Sequence, residues 1–506
     1  MRRAILAIVM LAAGGSAVAD VPAADAIREH IRLAAGPRPA SVHVVVLYDA
    51  RGLHGRRTTY RSGDDFREVV AEGPFTMQRG QLAKQAWHQN ANGETVLDQP
   101  DPGVAVRESY KTEVREIATP VAGYLIASLN AAGSGTKDYV EAASWHVVRR
   151  EVVRPSETTT YAYDDFRTVD GVTQAWHWTA RDGHSENDAE YRIQSQARDV
   201  RASDVAIATS RAAFVEFPAG QQRVVLPVRE ERDKFYVRVN IGDRGLDFVL
   251  DTGAGGIAID EDVARQLGLT EYGRYSGAAN AGRFVGGRVL VPKVAVGDLT
   301  MHDVEMGIIP HVAGDGGVSG EVRAVGLLGF DFLGALALKL DYQHGSVIAF
   351  EPSSFVAPAS PHTLALDIRL STQLPMTDVP INGALGERFI IDTGASAPLM
   401  VFDYFQRRHG EALVDRGGGG SDRNRRYNGV GGAFQTRPYQ LDSVRLGTAN
   451  FKDFIAFGVR SKSVYASDQD GVVGTEFLRL FNVYLNYGES RIYLEPNDLG
   501  RAASGR

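Results

Sequence analysis

The sequence predicts a mainly β protein, with two lobes of one repeated β design preceded by an α+β domain built on an antiparallel, incomplete-barrel sheet. Three observations carry that expectation. The segment Phe248-Val-Leu-Asp251-Thr252-Gly253-Ala254 is restated as Phe389-Ile-Ile-Asp392-Thr393-Gly394-Ala395. The flanking sequence repeats as well, from Val224 to Pro352 and again from Leu374 to Pro496, and internal repetition fixes an architecture before any single motif does. All 4 tryptophans, Trp87, Trp145, Trp176 and Trp178, lie upstream of the repeats, a composition shift that marks a separate domain.

At 506 residues the chain exceeds what one hydrophobic core supports. Met1-Arg2-Arg3, the apolar run Ala4 to Ala13 and the small-residue site Ala17-Val18-Ala19 read as an export signal over 1–19, cut after Ala19. Leu327 to Leu340 is interrupted by Asp331, so no transmembrane segment is expected. With Cys 0 the chain has neither a disulfide framework nor a thiol nucleophile. Export without disulfides points to a bacterial periplasm or to secretion. A net charge of -7 without a basic stripe argues against nucleic acid as a partner.

The N-terminal domain is expected over 20–217. A helix is predicted over 22–35 with Ile27, Ile31 and Leu33 inward, stopped by Gly36-Pro37. Strands follow at Val42–Tyr48, Thr58–Arg61, Phe66–Val70, Leu82–His88 and Thr95–Leu97. A second helix is predicted near Pro120–Leu129, and then strands from Trp145 to Val153 and Thr158 to Val215. Asp64-Asp65-Phe66-Arg67 and Gln85-Ala86-Trp87-His88 are echoed by Asp164-Asp165-Phe166-Arg167 and Gln174-Ala175-Trp176-His177. Strand neighbours point to opposite faces, so each Trp is expected in the core and each His in solvent, rather than His88, His146 and His177 in a shared metal site. The element order resembles periplasmic lipoprotein-carrier (LolA-like) and lipoprotein-sorting proteins. That resemblance implies an apolar concavity for a lipid or peptide ligand.

After a junction at Phe217–Gly220, the first lobe is expected over 222–352, a Pro-containing linker over 353–361 and the second lobe over 362–498. Each lobe has a hairpin leading to its Asp-Thr-Gly turn, then Val294–Gly297 matching Val444–Gly447, then Gly326-Leu-Leu-Gly329 matching Gly471-Val-Val-Gly474. Like lobes in one chain imply a pseudo-twofold axis on which the two turns meet.

The paired Asp-Thr-Gly-Ala turns, each followed by an apolar-apolar-Gly element, resemble the retropepsin-like and pepsin-like aspartic proteases. The resemblance implies a hydrolase of the aspartic endopeptidase class acting on a peptide or protein substrate, without metal or cofactor. Asp251 and Asp392 are the expected catalytic dyad, because two touching carboxylates share one proton and divide into acid and base; this dyad is a standard example of that rule. Thr252 and Thr393 would lock the turns, Gly253 and Gly394 would allow close approach and unusual backbone angles, and Ser396, facing Gly255, would make the lobes unequal. Leu328-Gly329 and Val473-Gly474 would pack behind the dyad. Flaps are expected near Gly282 and Gly432, with Phe284 and Phe434 beside them; otherwise these are plain surface hairpins. Arg416 to Arg426 reads as a loop rather than a phosphate cradle. Many pepsin-like enzymes place a hydroxyl where Ala254 and Ala395 stand, so this dyad is expected to work nearer neutral pH. One chain supplies both aspartates, so a monomer suffices. The alternative is a periplasmic lipid, lipoprotein or peptide carrier using the lobes as scaffold.

Overall fold

The computed structural model describes residues 21–98, 109–130, 133–154, 157–211, 214–279, 282–310, 323–370, 373–413, 425–430, 432–459 and 469–504. The expected export signal lies outside them, as do Asn280, Ala281, Gly431 and most of the Arg416–Arg426 loop. Among the described residues, no helix is long and apolar enough to cross a membrane.

The N-terminal region is one 13-stranded antiparallel sheet. The chain starts at its centre with Ser41–Ala50, works outward through five strands to the edge at Thr95–Leu97, reappears at the opposite edge as Lys111–Ile117, and works back to Ala189–Ala197 beside the first strand. Every neighbour is thus a sequence neighbour except the central pair. The helix Ala24–Ala35 buries Ile27 against Ile126 and Val140. Leu33 is 59% exposed, contrary to the predicted face. At 100° per residue, Ile31 lies nearly above Ile27, whereas Leu33 lies well around the cylinder. The helix predicted near Pro120–Leu129 is the strand Gly123–Leu129, paired on both sides. A seven-residue apolar run fits either period, and here the flanking strands decide. Trp87 is buried as expected, but Trp176 and Trp178 are only half-buried. His88 and His177 are not free in solvent: His88 meets Asp98 at 2.7 Å, and His177 bridges Asp164 at 2.5 Å and Glu190 at 3.1 Å.

By Val215 the chain has joined the next sheet, where Val215–Glu216 pairs with Leu299–Ile309. Two barrel-like sheets then follow with one topology. In the first, Gly326–Leu328 is inserted between Arg244–Leu250, to which it is parallel, and Ile257–Asp260, to which it is antiparallel. In the second, Gly471–Val473 is inserted between Ala384–Ile391 and Leu399–Val401 in the same senses. Each sheet closes on itself, through Gly282–Val296 with both Lys234–Ile241 and Leu299–Ile309, and through Gly432–Leu446 with both Met376–Ile381 and Ala449–Val459.

A 6-stranded sheet joins the two. Its central pair is Ala337–Asp341 with Phe481–Asn486, in antiparallel register with Lys339 opposite Tyr484. Each flanking hairpin partner, Ser346–Phe350 or Arg491–Pro496, carries one further strand, Arg223–Val225 or Leu364–Asp367. The arrangement is symmetric about that central pair, and the buried apolar residues of the two halves form one continuous core.

The N-terminal sheet docks on the first of these halves. Glu72, fully buried, binds Arg288 at 2.5 Å and Arg51 at 3.3 Å, while the Arg288 guanidinium lies 4.3 Å over the Phe75 ring and also reaches Glu305 at 3.3 Å. Taking one partner from a buried pair leaves the other charge uncompensated. Glu72→Ala is therefore expected to lower the unfolding free energy by about 3–5 kcal/mol, whereas breaking the exposed Arg211–Asp303 pair with Arg211→Ala costs below about 1 kcal/mol; urea titration of both variants checks the difference.

Candidate active site

Each Asp-Thr-Gly turn begins where a strand ends. The Asp251 N–H donates to the Leu328 carbonyl at 3.0 Å, and the Asp392 N–H to the Val473 carbonyl at 2.9 Å. Both turns are thus hung from the inserted strands. Leu328 and Val473 are buried. Gly329 and Gly474 are needed because a Cβ at 329 would lie 2.3 Å from the Ala254 carbonyl oxygen, and one at 474 would lie 2.4 Å from that of Ala397.

The two turns interlock. The Thr252 hydroxyl donates to the Ile391 carbonyl at 2.6 Å and accepts from the Thr393 N–H at 2.9 Å. Reciprocally, the Thr393 hydroxyl donates to the Leu250 carbonyl at 2.7 Å and accepts from the Thr252 N–H at 3.1 Å. Both threonines are 1% exposed, so these polar groups have only each other to bond. The lock brings each aspartate over the opposite glycine. A Cβ on Gly253 would stand 2.5 Å from Asp392 Oδ2, and one on Gly394 2.5 Å from Asp251 Oδ1. Neither glycine has a positive φ, so the predicted need for unusual backbone angles is replaced by a need for space.

The carboxylates are held unequally. Asp251 Oδ1 accepts one backbone N–H, from Gly253 at 2.8 Å. Asp392 Oδ1 accepts two, from Gly394 at 2.7 Å and Ala395 at 3.1 Å. Burial raises the pKa of Asp251 well above the ordinary carboxylate value, and the neighbouring charge of Asp392 raises it further. Burial also raises Asp392, but its two backbone donors, its bond from Asp251 and the charge of Lys234 oppose that rise. The additional backbone donor favours the charge on Asp392 and so the proton on Asp251. Because both values are raised, the dyad's contribution to folding is present at acid pH and lost as pH climbs through the folded-state values. Ser396 stands in the cleft wall nearby; the Ala395 N–H is one contribution to the inequality.

The dyad forms part of the wall of a cleft of about 1000 Å³. Both predicted flap positions adjoin it as hairpins: Glu271–Ala279 with Gly282–Val296, where Ala279 faces Gly282, and Arg426–Gly429 with Gly432–Leu446, where Gly429 faces Gly432. Phe284 and Phe434 both line the cleft, Phe284 edge-on to Tyr275 and Phe434 stacked on Tyr427. Sequence reasoning missed Tyr275, Tyr427, Met400, Phe402 and Lys234 in this lining, and the contribution of Met77, Asn90 and Ala91 from the N-terminal sheet. Tyr427 had a legible signal, since it is the aromatic residue paired with Phe434 in the predicted flap hairpin. Lys234 had none, because nothing local distinguishes it from other surface cations.

Asp331, also in the wall, accepts from Asn90 at 2.6 Å and Asn92 at 2.9 Å. Burial, with the charge of Glu305, pushes it up to about 7. No group of three or more His, Cys, Asp or Glu among the described residues could hold a metal ion.

A family model described as aspartyl protease matches residues 237–332. That span includes Asp251 and Leu328-Gly329 and gives the first lobe a protease-like fold. No curated protein matches the chain. Among solved structures it is similar to an aspartic proteinase from Irpex lacteus, at 14% identity over 56% of this chain and 99% of that one, with a TM-score of 0.33. It is similar as well to an outer membrane lipoprotein-sorting protein domain from Vibrio parahaemolyticus, at 9% identity over 36% of this chain and 94% of that one, with a TM-score of 0.28. A LolA superfamily protein from Nitrosomonas europaea gives 12% identity over 37% and 98%, with a TM-score of 0.29.

The lock yields a direct test. Thr393→Val keeps the shape of the side chain but leaves the Leu250 carbonyl and the Thr252 N–H buried without partners. The expected loss is about 2–4 kcal/mol of unfolding free energy, measured by denaturant titration against wild type.

Proposed function

We propose that this chain is an aspartic endopeptidase that hydrolyses extended peptides with water activated by Asp251 and Asp392. The observation that carries the reading is the mutual fit of each carboxylate into the space over the opposite glycine, on the wall of an open cleft. Two carboxylates so close cannot both ionise at moderate cost, so one remains protonated while the other is a base. Asp392, with two backbone donors, holds the charge, and Asp251 holds the proton.

The chemistry follows from that division. Water between the carboxylates loses a proton to Asp392 as its oxygen bonds to the scissile carbonyl carbon, and the proton of Asp251 passes to the carbonyl oxygen. The tetrahedral diol then collapses. One hydroxyl proton returns to Asp251, the C–N bond breaks, and the proton on Asp392 goes to the departing nitrogen. The dyad ends as it began. Phe284, Tyr427, Phe434, Met400 and Phe402 along the cleft favour a substrate with apolar side chains beside the scissile bond. Both aspartates come from one chain, so the reading needs no second copy. The reading of 1–19 as an export signal supports a site of action outside the cytoplasm.

Asp251→Asn and Asp392→Asn are each expected to lower cleavage of a peptide library by roughly 10³-fold or more, and a statine-type inhibitor should block the wild type. Retained cleavage in either variant rejects a shared dyad, and a wild type that cleaves nothing at any pH favours the carrier alternative. The pH–rate profile supplies an independent check. Both carboxyl groups are raised, so the window holding one proton lies above that of solvent-exposed carboxylates, and a strongly acidic optimum contradicts the reading. Lys234 favours the ionised form of each aspartate. Removing its charge in Lys234→Gln is expected to move both limbs of the profile to higher pH; an unchanged or acid-shifted profile rules that influence out.

A further inference from the structure

The hairpin Glu271–Ala279 with Gly282–Val296 is gripped along its length by the N-terminal sheet. At its base, Arg288 enters the Glu72 pair and Tyr272 meets the Phe75 ring edge-on at 5.7 Å. One step on, the pairing register shifts between Tyr272 and Tyr275. There the Arg274 N–H donates to the Arg51 carbonyl at 2.8 Å, in the turn between the first two N-terminal strands. Gly273, at φ 65°, is the residue that admits this turn, since a Cβ would stand 2.9 Å from Leu53 Cδ1 and 3.0 Å from the Arg51 oxygen. A bulge of this kind re-aims a strand.

Toward the tip, Glu271–Ala279 is the edge strand of its sheet, so the outward backbone groups of Ser276 are open to pairing. Asn187 takes both. Its Oδ1 accepts from the Ser276 N–H at 2.9 Å and its Nδ2 donates to the Ser276 carbonyl at 3.1 Å. Asp182 fixes the amide from behind, accepting Asn187 Nδ2 at 2.7 Å and the His184 N–H at 2.9 Å. Arg283, on the returning strand, donates to Ser276 Oγ and to its carbonyl, each at 3.2 Å, and to Glu157, just before the N-terminal strand Thr158–Val169, at 3.1 Å. The hairpin of the second lobe is tied instead to its own lobe, with the Ser443 N–H on Asn382 and the Tyr439 hydroxyl on Gln406. Its Val430 and Phe284 of the first hairpin pack against one buried cluster, Tyr236, Val249, Ile309 and Ala324.

We propose that the N-terminal domain is a clamp on the first-lobe hairpin, with Asn187 and Glu157 as positioning residues that hold Phe284 and Tyr275 in one geometry beside the dyad. The clamp rests on the endopeptidase reading for its consequence, a preformed subsite on one side of the substrate, but not for its existence. Asn187 also blocks the strand edge against addition of a stray peptide strand, so a substrate meets the cleft side of this hairpin and not its outer edge.

Amide hydrogen exchange on the mature full chain tests the contact without catalysis. In Asn187→Ala the Ser276 amide should exchange about tenfold faster than in wild type, with protection of the second-lobe hairpin unchanged. Glu157→Gln, which keeps its volume and drops the ion pair, should accelerate exchange around Arg283 and serves if Asn187→Ala does not fold. Kinetically, either variant should raise KM for a peptide several-fold while leaving kcat and the pH limbs in place. Unchanged exchange at Ser276 and Arg283 overturns the clamp whether or not the protein cleaves peptides, and accelerated exchange with an unchanged KM overturns its role in positioning substrate.

Discussion

The reciprocal bonding of Thr252 and Thr393 is the constraint from which the rest of the molecule follows. Two buried carboxyl groups repel unless a proton stands between them, and leaving water costs each of them. Something must hold them together against that cost. Here each threonine hydroxyl spans to the other turn twice, as donor to a carbonyl and as acceptor from an N–H. Such bonds are net favourable by about 1 kcal/mol apiece, but leaving any one unmade in a dry site costs more. The turns can therefore separate only by stripping several polar groups at once. The shared 6-stranded sheet works in the same direction from below, since its central strand pair comes from both lobes.

That symmetric lock contains an asymmetric dyad. The first turn continues as Ala254-Gly255-Gly256 and the second as Ala395-Ser396-Ala397-Pro398. In the first, the Ala254 N–H returns to the backbone carbonyl of Asp251, whereas in the second the Ala395 N–H reaches the carboxylate of Asp392. That redirected N–H adds to the bonds that favour the charge on Asp392, because a hydrogen bond to the ionised form favours that form. Lys234, in the wall of the same cleft, acts through its positive charge, which favours ionisation of both.

Much of the fold was legible because the repeat states it twice. The apolar lead-ins Phe248–Leu250 and Phe389–Ile391 and the later Leu-Leu-Gly and Val-Val-Gly elements each land in matching strands. The N-terminal region gave up less. Gly123–Leu129 is apolar enough to fit a helix, and only its pairing with strands on both sides makes it a strand. Leu33 faces outward because the helical period, not apolarity alone, selects the inward face. In the site, the dyad and its threonines were legible because their chemistry needs those residue types at that spacing. Beyond Phe284 and Phe434 the cleft walls were not: Met77, Asn90 and Lys234 come from separate parts of the chain and meet only through docking and long-range pairing.

Where the repeats diverge, the divergence has a use. Asp331 and Glu476 hold equivalent places after the inserted strands. Glu476 pairs with Arg425 of its own lobe and stays partly exposed. Asp331 is buried, raised to about 7, and served by the amides of Asn90 and Asn92 from the N-terminal sheet. The oxygens of those amides are already committed, Asn90 Oδ1 to the Glu94 N–H and Asn92 Oδ1 to the Glu305 N–H. Each amide can therefore only donate toward Asp331, which suits an ionised carboxylate and leaves a protonated one with a hydroxyl facing donors. Among the described residues, Glu476 is engaged by Arg425 and takes no bond from the N-terminal sheet. At one of two equivalent places the shorter acid is the acceptor on which the N-terminal sheet seats Asn90 and Asn92. The same sheet reaches the adjoining hairpin, so the lobe to which the proposed dyad assigns the proton is also the lobe whose cleft wall is held from outside.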